Sequence, residues 1–104
     1  MYIKPDIRIA IAEDHELFRE GWISRLKKQE NLNILGDFEN GKELLEFLEI
    51  QEVDIVLMDV QMPVLDGVKA TKEIIERFPD IKIIALTMYD NDTAHGIKLI
   101  TRQA

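Results

Sequence analysis

The sequence contains no cysteine. That excludes a disulfide scaffold and a thiolate metal site, and it suits a reducing compartment. Long apolar runs are also missing. None approaches the ~20 residues that a membrane-spanning helix needs. Met1 to Ala12 lacks the basic start and apolar core of a secretory signal. Positive charge is scarce: 13 basic residues stand against 20 acidic ones, for a formal net charge of -7. A nucleic-acid surface needs clustered Lys and Arg to neutralise phosphates, so no direct nucleic-acid binding by this segment is expected. There is no Walker-type phosphate loop and no GxGxxG. His15 and His95 have no metal-ligand spacing and read as structural. The expectation is a soluble cytoplasmic protein without membrane association.

What is present is a regular alternation. Apolar residues are 46% of 104 positions, enough for one compact domain spanning 1–104. Ile7 to Ala12 is short, apolar and β-branched, and reads as a strand. His15 to Glu30 places Leu17, Phe18, Gly21, Trp22 and Leu26 at helical spacing, with Asp14 as the N-cap. Leu32 to Phe38 is a second strand, in which Gly36 marks a bulge or an exposed edge. Asn40 caps a helix to about Ile50, with Glu43 at the capping-box position. Val53 to Met58 is the most apolar strand, as expected where both sheet faces are covered. Asp66 caps a helix from about Gly67 to Phe78, with Val68, Thr71, Ile74, Ile75 and Phe78 on its buried side. Ile81 to Leu86 is a fourth strand. A polar loop from Thr87 to Asp92 and a short helix from Thr93 to Ile100 complete the reading. Strands alternating with helices in this way predict an α/β fold with a parallel sheet.

In such sheets, sites form beyond the carboxyl ends of the strands, where the strand order reverses. The first strand ends on Glu13-Asp14 and the third on Asp59. If those strands are neighbours, three carboxylates converge. Crowded carboxylates repel, and some stay protonated unless a cation intervenes. All-oxygen ligands favour a hard ion, Mg²⁺ before Mn²⁺ or Ca²⁺. With a phosphoryl group held there, Asp59 reads as a nucleophile on a rigid strand tip. Met58, Met62 and Met88 flank this region as packing, and Trp22 reads as core or rim. Asp37, Glu39, Glu43, Glu46 and Glu49 read as a solvated acidic face.

Three stretches, "IAIAEDHELFREGW", "VLMDVQMPVLDG" and "IIALTMYD", resemble in order and spacing the receiver domains of two-component response regulators, over about residues 7–92. Their flavour is similar to the subfamily with a LuxR/NarL-type helix-turn-helix output domain. The resemblance implies a flavodoxin-like, doubly wound parallel sheet. It implies Asp59 as phosphoacceptor from a sensor histidine kinase, Asp14 as a direct Mg²⁺ ligand, and Glu13 as a ligand through water. It also implies Gln61 as a ligand through its backbone carbonyl, Thr87 as the residue that senses the phosphoryl group, and Pro63 and Gly67 as shapers of the loop. The implied function is a conformational switch controlling transcription through another domain, not a turnover enzyme. A Mg²⁺-dependent phosphohydrolase would want a proton-transferring residue where Gln61 stands.

The family pattern stops early. The chain carries the order 2-1-3-4; the fifth strand with its lysine, the aromatic switch residue and the fifth helix are missing. Lys82 lies near the wrong end of strand four, and Lys98 has no motif around it. Strand four should then present an open apolar edge, a route to a homodimer or domain swap. The alternative function is a truncated or pseudo-receiver interaction module that dimerises without phosphotransfer.

Overall fold

The computed structural model describes residues 6–59, 67–88 and 95–100; at 86–88 and 95–100 it describes the backbone alone. The elements are β1 (Ile7–Ala12), α1 (Glu16–Leu26), β2 (Leu32–Phe38), α2 (Gly41–Ile50), β3 (Ile55–Asp59), α3 (Gly67–Arg77), β4 (Lys82–Met88) and β5 (His95–Ile100). The sheet order is β2-β1-β3-β4-β5. The first four strands pair in parallel, in the expected order 2-1-3-4.

The two sheet faces differ because the strands alternate. Ala10 and Ala12 of β1, Val56 and Met58 of β3, and Ile83 of β4 join Leu44, Leu45 and Leu48 of α2 and Ala70 and Ile74 of α3 in one buried cluster. The small alanines allow the helices to approach closely. Leu44, Val56, Met58 and Ile74 are all 0% exposed, and each fully buried side chain of this size contributes about 1.5–3 kcal/mol. On the other face, Ile9, Ile11 and Leu57 are buried beneath Trp22, Ile23 and Leu26 of α1, which are themselves half-buried. No residue of α1 is fully buried.

Local signals explain most boundaries. The Asn40 Oδ1 accepts from the Glu43 N–H at 2.8 Å, and the Asn40 amide donates to the Glu43 carboxylate, so α2 starts where its cap residues lie. The bulge expected near Gly36 is present: Ile9 pairs with Ile34 and Ala10 with Gly36, leaving Leu35 as the extra residue on this edge strand. A Cβ at Gly36 would come within 2.8 Å of the Phe38 ring, which itself packs against Phe47.

Several expectations need correction. Asp14 does not cap α1. His15 is the N-cap residue, its side chain makes no cap hydrogen bond, and its ring stacks on Phe18 at 4.3 Å. Leu17 is 72% exposed and Val68 56% exposed. The face of α1 turned to the sheet is set by Trp22, Ile23 and Leu26, and that of α3 by Ala70, Thr71 and Ile74. The acidic face is less uniform than expected, since Asp37 pairs with Arg19 and Glu49 with Arg77.

The largest correction concerns the end of the chain. Residues 95–100 form a strand, not a helix, and it is antiparallel to β4, with Ile83 opposite Ile100 and Met88 opposite His95. Strand four accordingly runs on to Met88, taking Thr87 out of the expected loop. The physical reason is the row of unmet backbone donors and acceptors on β4, which an adjacent apolar segment satisfies. The edge of strand four is therefore paired within the chain, and dimerisation or swapping through an open β4 edge loses its basis. The sheet thus has a fifth strand, but not a parallel one. No fifth helix occurs among the described residues.

Candidate functional site

β1 and β3 are neighbours, with Ala12 opposite Met58. This is where the strand order reverses, so their carboxyl ends open into one crevice. Glu13 and Asp14 follow β1 directly, and Asp59 is the last residue of β3. One carboxylate oxygen from each of Glu13, Asp14 and Asp59 lies within 4.8 Å of the others. The convergence expected if those strands were neighbours is what the sheet produces.

The three groups differ in environment. Glu13 is 5% exposed, Asp14 is exposed and Asp59 is half-buried. The pKa of Glu13 is pushed up to about 8, by burial first and then by its hydrogen bond with, and repulsion from, Asp59. The backbone N–H of His15, donating to Glu13 Oε2 at 3.2 Å, offsets part of that rise. Without a cation, then, the cluster holds a proton at neutral pH. A divalent cation would replace it, because like charges this close cannot all ionise alone. The donor set is oxygen throughout, which fits a hard ion such as Mg²⁺ and offers nothing to a soft one.

The remaining sequence-predicted residues fall at different places. In β4, Leu86 pairs with Asp59, so the backbone sets Thr87 one residue beyond the phosphoacceptor candidate on the adjacent strand. Gly67 is buried at the first position of α3, where its carbonyl accepts from the Thr71 hydroxyl at 2.6 Å. Gln61 and Pro63, with Asp66, lie outside the described residues. Lys82 is at the opposite end of β4 from Leu86, about 13 Å away by strand rise. Lys98 lies on β5 opposite Ala85 and not on a helix.

Sequence reasoning missed Arg19. Its guanidinium donates to the Glu13 carbonyl at 2.6 Å and pairs with Asp37 on β2 at 3.3 Å. The only signal was an arginine in the first turns of α1, shortly after an acidic pair.

A second concentration of charge lies at the other end of the sheet. An open groove of about 440 Å³ there is lined by residues including Arg8, Glu52, Asp54, Arg77 and Phe78. Arg8 meets both Asp54 oxygens, at 2.9 and 3.1 Å, and also Glu52. Arg77 pairs with Glu49 and Glu73. These acids have cationic partners, and the groove is built as structure.

Comparison with known proteins agrees with this geometry. The chain matches the family model described as the response regulator receiver domain over residues 9–103. It is 38% identical over 87 residues to the transcriptional regulatory protein DegU of Brevibacillus brevis, covering 84% of this chain and 37% of DegU. It is 36% identical over 86 residues to the response regulator GacA of Pseudomonas viridiflava, covering 83% of this chain and 40% of GacA. Among solved structures, the RcsB response regulator of Salmonella typhimurium superposes with a TM-score of 0.77 at 31% identity, over 85% of this chain and 46% of that one. The chain spans about two-fifths of the length of the curated relatives it matches.

Proposed function

This chain belongs to the response regulator receiver family, and we propose that it is a phosphoacceptor switch in which Asp59 takes a phosphoryl group from the phosphohistidine of a sensor histidine kinase. The observation that carries this reading is the convergence of Glu13, Asp14 and Asp59 at the tips of β1 and β3. An Asp59 oxygen attacks phosphorus and forms the P–O bond of an acyl phosphate. The P–N bond breaks, and its electron pair leaves with the imidazole nitrogen. Bound Mg²⁺ would supply charge neutralisation on the transferring oxygens. Asp14 and Asp59 would hold the ion directly, Glu13 through water and Gln61 through its backbone carbonyl. Pro63 and Gly67 would serve to shape the segment that follows Asp59.

The burial of Glu13 and the rigid backbone of β3 fix the direction from which Asp59 approaches. Thr87 responds to the product: its hydroxyl donates to a phosphoryl oxygen, and the strand end carrying it shifts when roughly -1.5 to -2 charges replace one. The protein is on this reading a switch and not a turnover enzyme, it acts in the cytoplasm, and its output is transcription through a domain outside this chain. The name of DegU as a transcriptional regulatory protein supports that output. No helix among the described residues is long and apolar enough to cross a membrane.

The test is intact mass after incubation with Mg²⁺ and acetyl phosphate. The expected gain is one phosphoryl group, dependent on Mg²⁺ and absent in Asp59→Asn. An equal gain in Asp59→Asn would contradict the assignment.

A further inference from the structure

Glu13 and Asp14 sit on a loop, yet a metal site needs its ligands placed to within about half an ångström. Something must stiffen that loop. The peptide group joining Glu13 to Asp14 determines where both side chains leave the backbone, and its oxygen is the Glu13 carbonyl. Arg19 donates to that oxygen at 2.6 Å. The same guanidinium is braced by Asp37 at 3.3 Å, and the Arg19 side chain is 17% exposed. The Glu13 N–H donates to the Phe38 carbonyl at 2.9 Å. Both backbone groups of Glu13 are therefore tied, directly or through Arg19, to adjacent residues at the end of β2.

We infer that Arg19 is a positioning residue for the cation site, clamping the Glu13–Asp14 peptide to the end of β2. The inference rests on the Mg²⁺ reading above. Arginine suits the task because its planar fork donates in two fixed directions from adjacent nitrogens, where lysine offers a single point charge. Its bond goes to the carbonyl of Glu13, which leaves the Glu13 carboxylate available to a cation. Loss of the clamp frees the peptide to rotate, and the two carboxylates then have to be ordered by the ion itself, at the expense of affinity.

The test is calorimetric titration of the full chain with Mg²⁺ at fixed pH, alongside Tm without metal. Arg19→Ala is expected to weaken Mg²⁺ binding about tenfold, and Arg19→Lys by an intermediate amount. Asp37→Asn, which removes only the brace, should weaken it about twofold to threefold. Arg77→Ala at the far end of the sheet should shift Tm and leave the Mg²⁺ Kd alone, which separates positioning from general stability. A folded Arg19→Ala with a Kd within about twofold of wild type overturns the inference. If Arg19→Ala does not fold, unchanged affinity in both Arg19→Lys and Asp37→Asn overturns it instead. Absence of Mg²⁺ binding by the wild-type chain removes the metal reading itself, and this inference with it. Binding that ignores Arg19 removes this inference alone.

Discussion

Asp54 and Asp59 bracket the third strand, one just before it and one at its end, and their surroundings are opposite. Asp54 accepts from the Arg8 main chain and guanidinium, which holds its carboxyl below the usual carboxylate range. Asp59 lies beside Glu13 and Asp14, and its hydrogen bond and charge add to burial in raising the Glu13 pKa. The same residue type at the two ends of β3 thus serves structure at one end and joins the carboxylate cluster at the other. What separates them is the identity of the neighbours. Three carboxylates within 4.8 Å of one another, with the Glu13 pKa pushed up to about 8, mark the strand tips as the site.

The comparison can be broken most severely at Asp59. Asp59→Asn should abolish phosphoryl uptake from acetyl phosphate. Asp14→Ala should weaken Mg²⁺ binding by at least about tenfold in calorimetry. The matching change at the other end, Asp54→Ala, should leave both quantities unchanged.

A subtler distinction lies in pH. The folded Glu13 carboxyl holds its proton more tightly than an unfolded one, with the pKa raised from 4.5 to about 8. Its contribution to stability is therefore fully present below pH 4.5 and is lost as pH rises through 8. Denaturant unfolding of the metal-free chain should show that decline between these limits, and Glu13→Gln should flatten it. Saturating Mg²⁺ should flatten it as well, and Mg²⁺ binding below pH 8 should release a proton. Asp54 behaves in the opposite sense. Its carboxyl is depressed, so its contribution is present above the ordinary carboxylate range and is lost as pH falls below it.

The smallest effect is expected from the Arg8 pair. Asp54→Ala should lower Tm by a few degrees, and the loss should shrink in high salt because the pair is substantially exposed.

Much of this was legible in the sequence for identifiable reasons. The third strand stands out because both sheet faces are covered there, so its apolar run is nearly continuous. The three carboxylates follow from reading what each strand ends on. The α2 cap is written in Asn40 and Glu43. Three features were not legible. Leu17 has helical spacing, but spacing does not say which edge of an apolar stripe meets the sheet, and Trp22, Ile23 and Leu26 settle that for α1. Residues 95–100 are too short for periodicity to separate strand from helix, and the demand of β4 for a partner decides. The role proposed for Arg19 depends on a contact with a backbone carbonyl, which leaves no pattern in side-chain types.

The most direct test of the central claim is to locate the modified residue. The full chain is treated with Mg²⁺ and acetyl phosphate, the acyl phosphate is reduced with borohydride, and the peptides are sequenced by mass spectrometry. Homoserine at position 59 alone is the predicted result. Homoserine at another aspartate, or none while Mg²⁺ is bound, would contradict it.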